Sequence, residues 1–382
     1  MPTKEDLRYF QALPLDMKIG LTKNRFRDWV REFGTDGVYV SFSGGKDSTV
    51  LADMYARFCQ MYGCKMYLVF VNTGLEYPEI QKFVKVFAEW LRNTYNIEVE
   101  LTILRPKMRF DEVIQKYGYP LIGKRQAESI DFGRKNIKEK KYSFRLLTLG
   151  INPNEALEMG LELPPLEMLE RYKKTKDGSK YNTPKYQQLL YTDFETSAQC
   201  CYVMKKRPLK AYAKNTCKHP IIATMATESM VRESAWLKNG CNAFDAKEPK
   251  SAPMSFWTEQ DVLQYIRKYN IPIAPVYGDI VYAENPEQMR IEELGVNGCG
   301  TEKLKTTGCD RTGCIFCAFG CHLQKESRFE RLKETHPRQY QYCIGGGEYD
   351  EAGVWKPNKK GLGMGHVFDE LNKIYGDGFI KY

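Results

Sequence analysis

The chain has 382 residues, 42 % of them hydrophobic, with twelve cysteines and a formal net charge of +9. That length and apolar content can bury at least one sizeable core without disulfides, as one elaborated domain or two. MPTKEDLRYF at the amino terminus puts charges where a secretory leader needs an apolar stretch, and runs such as Met66 to Val71 are too short to span a bilayer, so the expectation is a cytoplasmic protein without a membrane partner.

In chain order, residues 1–36 read as an N-terminal helical segment. Gly37 to Phe42 (GVYVSF) is a short run of β-formers, followed at once by Ser-Gly-Gly-Lys-Asp-Ser and by Thr49 to Cys59 with helical apolar spacing. A second strand is expected at Lys65 to Asn72, a helix after Pro78 at its first position, and a third strand near Glu98 to Leu104. This alternation predicts an α/β fold with a doubly wound parallel sheet, whose ligands bind at the carboxyl ends of the strands, where SGGKDS and Thr73-Gly74 fall. From about 130 to 197 the sequence turns charged and Tyr-rich and reads as a mostly helical insertion. The sheet resumes at His219 to Ala226, a helix opens near Thr227, and Thr258 to Tyr269 forms another with Thr258 as N-cap and Asp261 three residues on. These pieces make a nucleotide-binding domain over 37–270. Residues 271–382 read as a cysteine-rich, loop-rich region punctuated by Gly345 to Gly347 and Gly361 to Gly365.

Two glycines after a buried strand let the backbone turn sharply, and the following helix offers free N–H groups and the positive end of its dipole to an anion. Lys46 adds a full charge, and Ser43, Ser48 and Thr49 add hydroxyls. The loop is not a Walker A motif, because Val40 stands where that motif needs glycine and Asp47 where it needs Ser or Thr. The positive net charge also favours anionic ligands, nucleotides or nucleic acid, although RKNIKEKK (Arg134 to Lys141) and the stretch Arg171 to Lys180 read as solvated surface.

Clustered cysteines in a reducing compartment read as metal ligands or redox groups. Cys200 and Cys201 are adjacent, and Cys299, Cys309, Cys314, Cys317 and Cys321 crowd one region, whereas Cys59, Cys64, Cys217, Cys241 and Cys343 are scattered as ordinary packing residues would be. Cys309, Cys314, Cys317 and Cys321 are spaced C-x4-C-x2-C with one more cysteine beyond, which suits a small ribbon or ferredoxin-like loop holding zinc or an iron-sulfur cluster.

Ser43-Gly44-Gly45-Lys46-Asp47-Ser48 resembles the PP-loop of the phosphoadenosine phosphosulfate reductase family and, by extension, of the ATP pyrophosphatases. Asn72 to Glu79 (NTGLEYPE) resembles the family's second segment, and Cys200 to Leu209 (CCYVMKKRPL) the Cys-Cys, Lys and Pro-Leu segment of its iron-sulfur members. Thr227-Glu228-Ser229 with Arg232 is similar to the Glu-Ser and Arg pair that reaches phosphate or sulfate. Pro253-Met254, Trp257 and Asp261-Val262 resemble the next block, and Gly313 to Cys317 (GCIFC) the closing Gly-Cys-x-x-Cys.

The resemblance implies an adenine nucleotide alpha hydrolase-like fold, with ATP, adenylyl sulfate or its 3′-phosphorylated form held by Ser43 to Ser48, Thr73, Gly74, Glu228, Ser229 and Arg232. It also implies a 4Fe-4S cluster on Cys200, Cys201, Cys314 and Cys317, a set that competes with the local one. Lys205 would lie between cluster and substrate, and Lys46, Lys205 and Arg232 are the catalytic candidates. The family's reductases carry a C-terminal Glu-Cys-Gly-x-His segment whose thiolate attacks the substrate sulfur. This sequence shows no such motif, which leaves Cys321 and Cys343 as the candidate thiols.

Three functions are therefore expected as alternatives. The first is Mg²⁺-assisted cleavage of ATP between its α- and β-phosphates, coupled to sulfur transfer to an acceptor that could be nucleic acid, with a sulfur or electron donor protein as partner. The second is a thiol-dependent sulfonucleotide reductase releasing sulfite, and the third a non-catalytic nucleotide-binding accessory protein.

Overall fold

The computed structural model describes residues 2–283, 303–324 and 326–382, so Cys299 lies outside the described residues. The chain divides into two units. The first comprises Met1–Asn72, Glu76–Arg105 and Pro208–Gly313, and the second Thr73–Leu75, Pro106–Arg207 and Cys314–Tyr382.

The first unit is built on a six-stranded sheet. Its strands are β1 (Val38–Phe42), β2 (Met66–Val71), β3 (Val99–Leu104), β4 (His219–Ile222), β5 (Asn242–Ala243) and β6 (Lys250–Ser251). Their order is β3-β2-β1-β4-β6-β5, and every pairing is parallel except β5 with β6. The chain thus moves outward from β1 to β2 and β3, then returns to the other side of β1 with β4. That reversal makes a switch point at β1, the position where open α/β sheets commonly take ligands beyond the strands' carboxyl ends.

Two helices follow the first two strands. The helix α3 (Lys46–Tyr62) stops at Gly63, which takes a left-handed conformation, and α4 (Pro78–Tyr95) starts with proline at its first turn and stops at left-handed Asn96. The apolar face of α4 meets the sheet through Phe42, Phe83 and Phe87, stacked at centroid distances of 5.3 to 6.5 Å. The N-terminal segment forms α1 (Lys4–Ala12), opened by a Thr3–Asp6 capping box, and α2 (Leu15–Phe33). Phe26 and Trp29 of α2 are fully buried, and the Lys18 ammonium is buried 2.7 Å from the Asp261 carboxylate. A buried charge is tolerated only when paired, so this bond ties α2 to α6 (Glu259–Tyr269). The capping box of α6, Thr258 with Asp261, is the one its sequence signals.

The helix expected near Thr227 begins later. Residues Ala226–Glu228 form a single 3₁₀ turn, and α5 (Met230–Asn239) starts after Ser229, whose extended backbone and hydroxyl cap it.

In the second unit the helices Lys124–Lys138, Phe144–Thr148, Pro153–Glu158 and Leu166–Lys176 and the 3₁₀ turn Pro184–Leu190 fill the stretch that reads as helical. The tail differs from its loop-rich reading. It holds the helices Arg328–Thr335, Pro337–Ile344 and Met364–Tyr375. Gly345 to Gly347 and Gly361 to Gly363 are confined to turns and short strands between them, while Val367, Phe368 and Leu371 bury one face of the last helix completely. Among the described residues no helix is long and apolar enough to cross a membrane.

Candidate functional site

The carboxyl end of β1 delivers Ser43, Gly44 and Gly45 to the start of α3. Gly44 has φ +73°, and a Cβ there would lie 2.7 Å from Ile80 Cγ2, so both conformation and space call for glycine. The hydroxyls fix the loop's shape. Ser48 Oγ accepts the Ser43 N–H at 3.2 Å and donates to the Gly45 carbonyl at 2.9 Å, and Thr49 Oγ1 donates to the same carbonyl at 3.1 Å. Thr49 is fully buried, so its hydroxyl serves the helix rather than a ligand. The amides of Asp47 and Ser48 stand at the second and third positions of α3, where helix geometry supplies no carbonyl partner.

Lys46 is only 3 % exposed. Its ammonium donates to Glu259 Oε1 at 2.9 Å and to the Asp310 carbonyl at 2.8 Å, and lies 3.6 Å from Asp47 Oδ1. Burial is the largest influence on it and acts to lower its pKa, but the Asp47 and Glu259 carboxylates outweigh it and the net shift is upward. Lys46 is thus a buried side chain that stays charged. The Lys46 backbone N–H donates to Tyr277 Oη at 3.1 Å, and that hydroxyl is 2.7 Å from Thr312 Oγ1. Glu259, Tyr277, Asp310 and Thr312 carried no signal in the sequence, because each reaches the loop only through tertiary packing.

Glu228, with 8 % of its side chain exposed, accepts the Met225 N–H at 2.9 Å through Oε2. The same carboxylate pairs with Arg232 through Oε2 and with Arg311 through Oε1. Glu228 therefore holds two guanidinium groups, Ser229 caps α5, and Arg232 keeps 40 % of its side chain exposed. Arg311 was not singled out in the sequence. Its place just before Gly313-Cys314 in the closing motif was the one available sign. Thr73 and Gly74 belong to the second unit, where Leu75 accepts the Ile315 N–H at 2.8 Å.

The cysteine site of the second unit is organised by the segment Tyr119 to Ile122. On one side Tyr119 N–H donates to Glu195 O at 2.7 Å and Ser197 N–H to Tyr119 O at 2.9 Å. On the other, Leu121 and Ile122 pair in parallel with Ala318 and Phe319. One strand thus draws together the chain leading into Cys200-Cys201 and the chain leaving Cys314 to Cys317. The sulfurs of Cys200 and Cys201 are 4.0 Å apart. A hydrogen bond to Cys201, then burial, then the neighbouring Cys201, Cys317 and Cys314 sulfurs push the Cys200 thiol up. The hydrogen bond from Cys200, followed by the charges of Lys124 and Lys205, brings the Cys201 thiol down despite burial. Lys205 sits on a five-residue π turn, Tyr202–Lys206, a widened geometry that often marks a functional position.

Cys200 has Cys201, Cys314 and Cys317 as electrostatic neighbours, Cys317 has Cys201, and the four share one soft donor chemistry. Among the described residues no group of three or more His, Cys, Asp or Glu is gathered tightly enough to hold a metal ion. The alternative set draws on both units, since Cys309 belongs to the first and Cys314, Cys317 and Cys321 to the second. Cys321 is buried, donates to the Ala318 carbonyl at 3.0 Å and is pushed up to about 12, chiefly by burial. Cys343 has no exposed surface, points to Met364 Sδ at 3.5 Å and is raised by burial.

A mainly parallel sheet with a glycine-rich, lysine-bearing loop after its first strand defines a mixed α/β protein. The chain matches the phosphoadenosine phosphosulfate reductase domain over residues 37–147 and 160–319, and it belongs to that family. The match leaves out α1, α2 and the tail helices. No curated protein matches the chain.

Proposed function

We propose that the protein binds ATP on the loop Ser43 to Ser48 and cleaves it between the α- and β-phosphates, by attack of an acceptor oxygen, or of water when no acceptor is present, on the α-phosphorus with pyrophosphate leaving. A sulfur nucleophile then displaces AMP from the adenylylated acceptor. The observation that carries this over thiol-dependent sulfonucleotide reduction is the closure of both candidate thiols. A reductive attack needs an accessible thiolate, whereas Cys321 and Cys343 are buried and held protonated.

In this reading the Asp47 and Ser48 amides and the Lys46 ammonium take the charge that develops on the departing pyrophosphate. Asp47 Oδ1 is buried without a hydrogen bond, which suits a carboxylate oxygen awaiting Mg²⁺ or its water. Cys200, Cys201, Cys314 and Cys317 would hold a 4Fe-4S cluster, which supplies redox or sulfur-carrying chemistry when bound. Lys124 and Lys205 place positive charge beside Cys201 and favour its thiolate for that ligation.

The test is product analysis of anaerobically purified protein given ATP and Mg²⁺. Release of AMP and pyrophosphate is the expected result. Sulfite from adenylyl sulfate or its 3′-phosphorylated form with a thiol reductant, without AMP from ATP, would overturn it in favour of a reductase. Binding without turnover in the presence of candidate acceptors would point to an accessory role. Iron and sulfide assays on the same preparation address the cluster, and a folded, iron-free protein would remove it.

A further inference from the structure

We infer that Arg311 is a specificity-determining residue of the nucleotide site, receiving a second oxyanion beyond the phosphate seated on the loop. This rests on the nucleotide reading above and deepens it.

Backbone geometry places the residue. The carbonyl that accepts from Lys46 Nζ at 2.8 Å belongs to the peptide unit joining Asp310 to Arg311. On the other flank, Thr312 Oγ1 is 2.7 Å from Tyr277 Oη, which accepts the Lys46 N–H. The start of the segment is pinned as well, through Cys309 N–H on the Val276 carbonyl at 2.9 Å and Thr306 Oγ1 on the Cys309 carbonyl at 3.0 Å. Arg311 is thus held one residue or less from two contacts with the phosphate loop, and its side chain is the part left to move.

Charge and donor count give the ligand chemistry. Arg311 and Arg232 share the Glu228 carboxylate, two positive charges against one negative, and their side chains are 56 % and 40 % exposed. A guanidinium carries five N–H donors, so one carboxylate already bonded to the Met225 N–H cannot engage both groups fully. Glu228 instead holds the two planes together, ready for the bidentate pairing that guanidinium makes with phosphate or sulfate. The ligand class is an adenine nucleotide whose loop-bound phosphate carries a second phosphoryl or sulfonyl group, as the pyrophosphate of ATP or the sulfate of adenylyl sulfate does. Arg311 would exchange part of its contact with Glu228 for that group.

Calorimetric titration of wild type, Arg311→Ala and Arg311→Lys with AMP, ATP and adenylyl sulfate tests this. Arg311→Ala should weaken the two-anion ligands about tenfold, the size expected of a charge-assisted contact, and leave AMP within about twofold. Arg311→Lys should recover only part of the loss, since a point charge cannot pair bidentately. Whichever of ATP and adenylyl sulfate loses more identifies the second group. An equal loss for AMP, or none for either ligand, overturns the inference, and a purely structural ion pair would lower the melting temperature and all affinities together. Wild-type protein that binds none of the three, or a Lys46→Ala variant that binds all three as tightly as wild type, would instead overturn the underlying nucleotide reading.

Discussion

Six consecutive residues, Ser43 to Ser48, carry the turn, the hydroxyls and the cation of the phosphate loop, and α3 supplies its amides from the same stretch of chain. The cysteine site has no such continuity, because Cys200-Cys201 and Cys314 to Cys317 are far apart in the chain and Tyr119 to Ile122 pairs with both of their approaches. A local site keeps its geometry as long as its own strand and helix form. A distributed one depends on a pairing between segments far apart in the chain, and the largest expected effect lies there.

Gly118, just before that pairing segment, has φ +100°, and a Cβ on it would stand 2.5 Å from the carbonyl carbon and oxygen of Glu195. Both are backbone atoms with little room to yield. Gly118→Ala should therefore push the Glu195 to Ser197 strand off Tyr119 and destabilise the second unit by about 3 kcal/mol, combining backbone strain with overpacking. Calorimetry should show a lowered transition, and anaerobic reconstitution should show iron uptake falling while nucleotide affinity holds. Unchanged iron uptake would break the contrast, because the cysteines would then be placed by something other than this strand.

Lys46→Ala is the reciprocal experiment. It removes a cation that the Asp47 and Glu259 carboxylates keep charged, and nucleotide affinity should drop about tenfold or more, roughly the 1.5 to 3 kcal/mol of a charge-assisted contact. Iron content should stay at the wild-type level. Parallel losses of both would show that the two sites are coupled, and the contrast between them would need to be redrawn.

The same difference decides what could be read in the sequence. The strand before the loop, the loop, Pro78 at the head of α4 and the Thr258–Asp261 box were legible because each is specified by residues within a turn or two of one another. The partners that complete the loop were not. Tyr277 taking the Lys46 N–H, Asp310 taking its ammonium and Glu228 gathering two arginines leave no periodic trace, since each joins segments far apart in the chain. The tail misled for a related reason. Its glycines are conspicuous, but the helices between them are set by apolar positions such as Phe329, Leu332, Val367 and Leu371 that bury against other elements. Cys343 likewise resembled a late reactive thiol by position alone, and packing makes it a core residue.

The smallest expected effect tests the core at the amino end of β1, the end of the strand away from the loop. His219 opens β4 and stacks on Phe33 with ring centroids 3.8 Å apart, with the Trp29 ring edge-on at 6.3 Å. Burial lowers its pKa below the ordinary 6.5. In the window between that lowered value and 6.5 the unfolded chain binds more protons at this position than the folded one. Stability must then rise with pH there, and this contribution is lost as pH falls from 6.5 through the folded value. His219→Phe keeps a ring against Phe33 and removes the proton, so melting curves of the variant between about pH 7 and pH 5 should fall less steeply than wild type. Equal slopes would mean that His219 is as open to water in the folded protein as in the unfolded chain, and that the stack on Phe33 does not seal this end of the sheet.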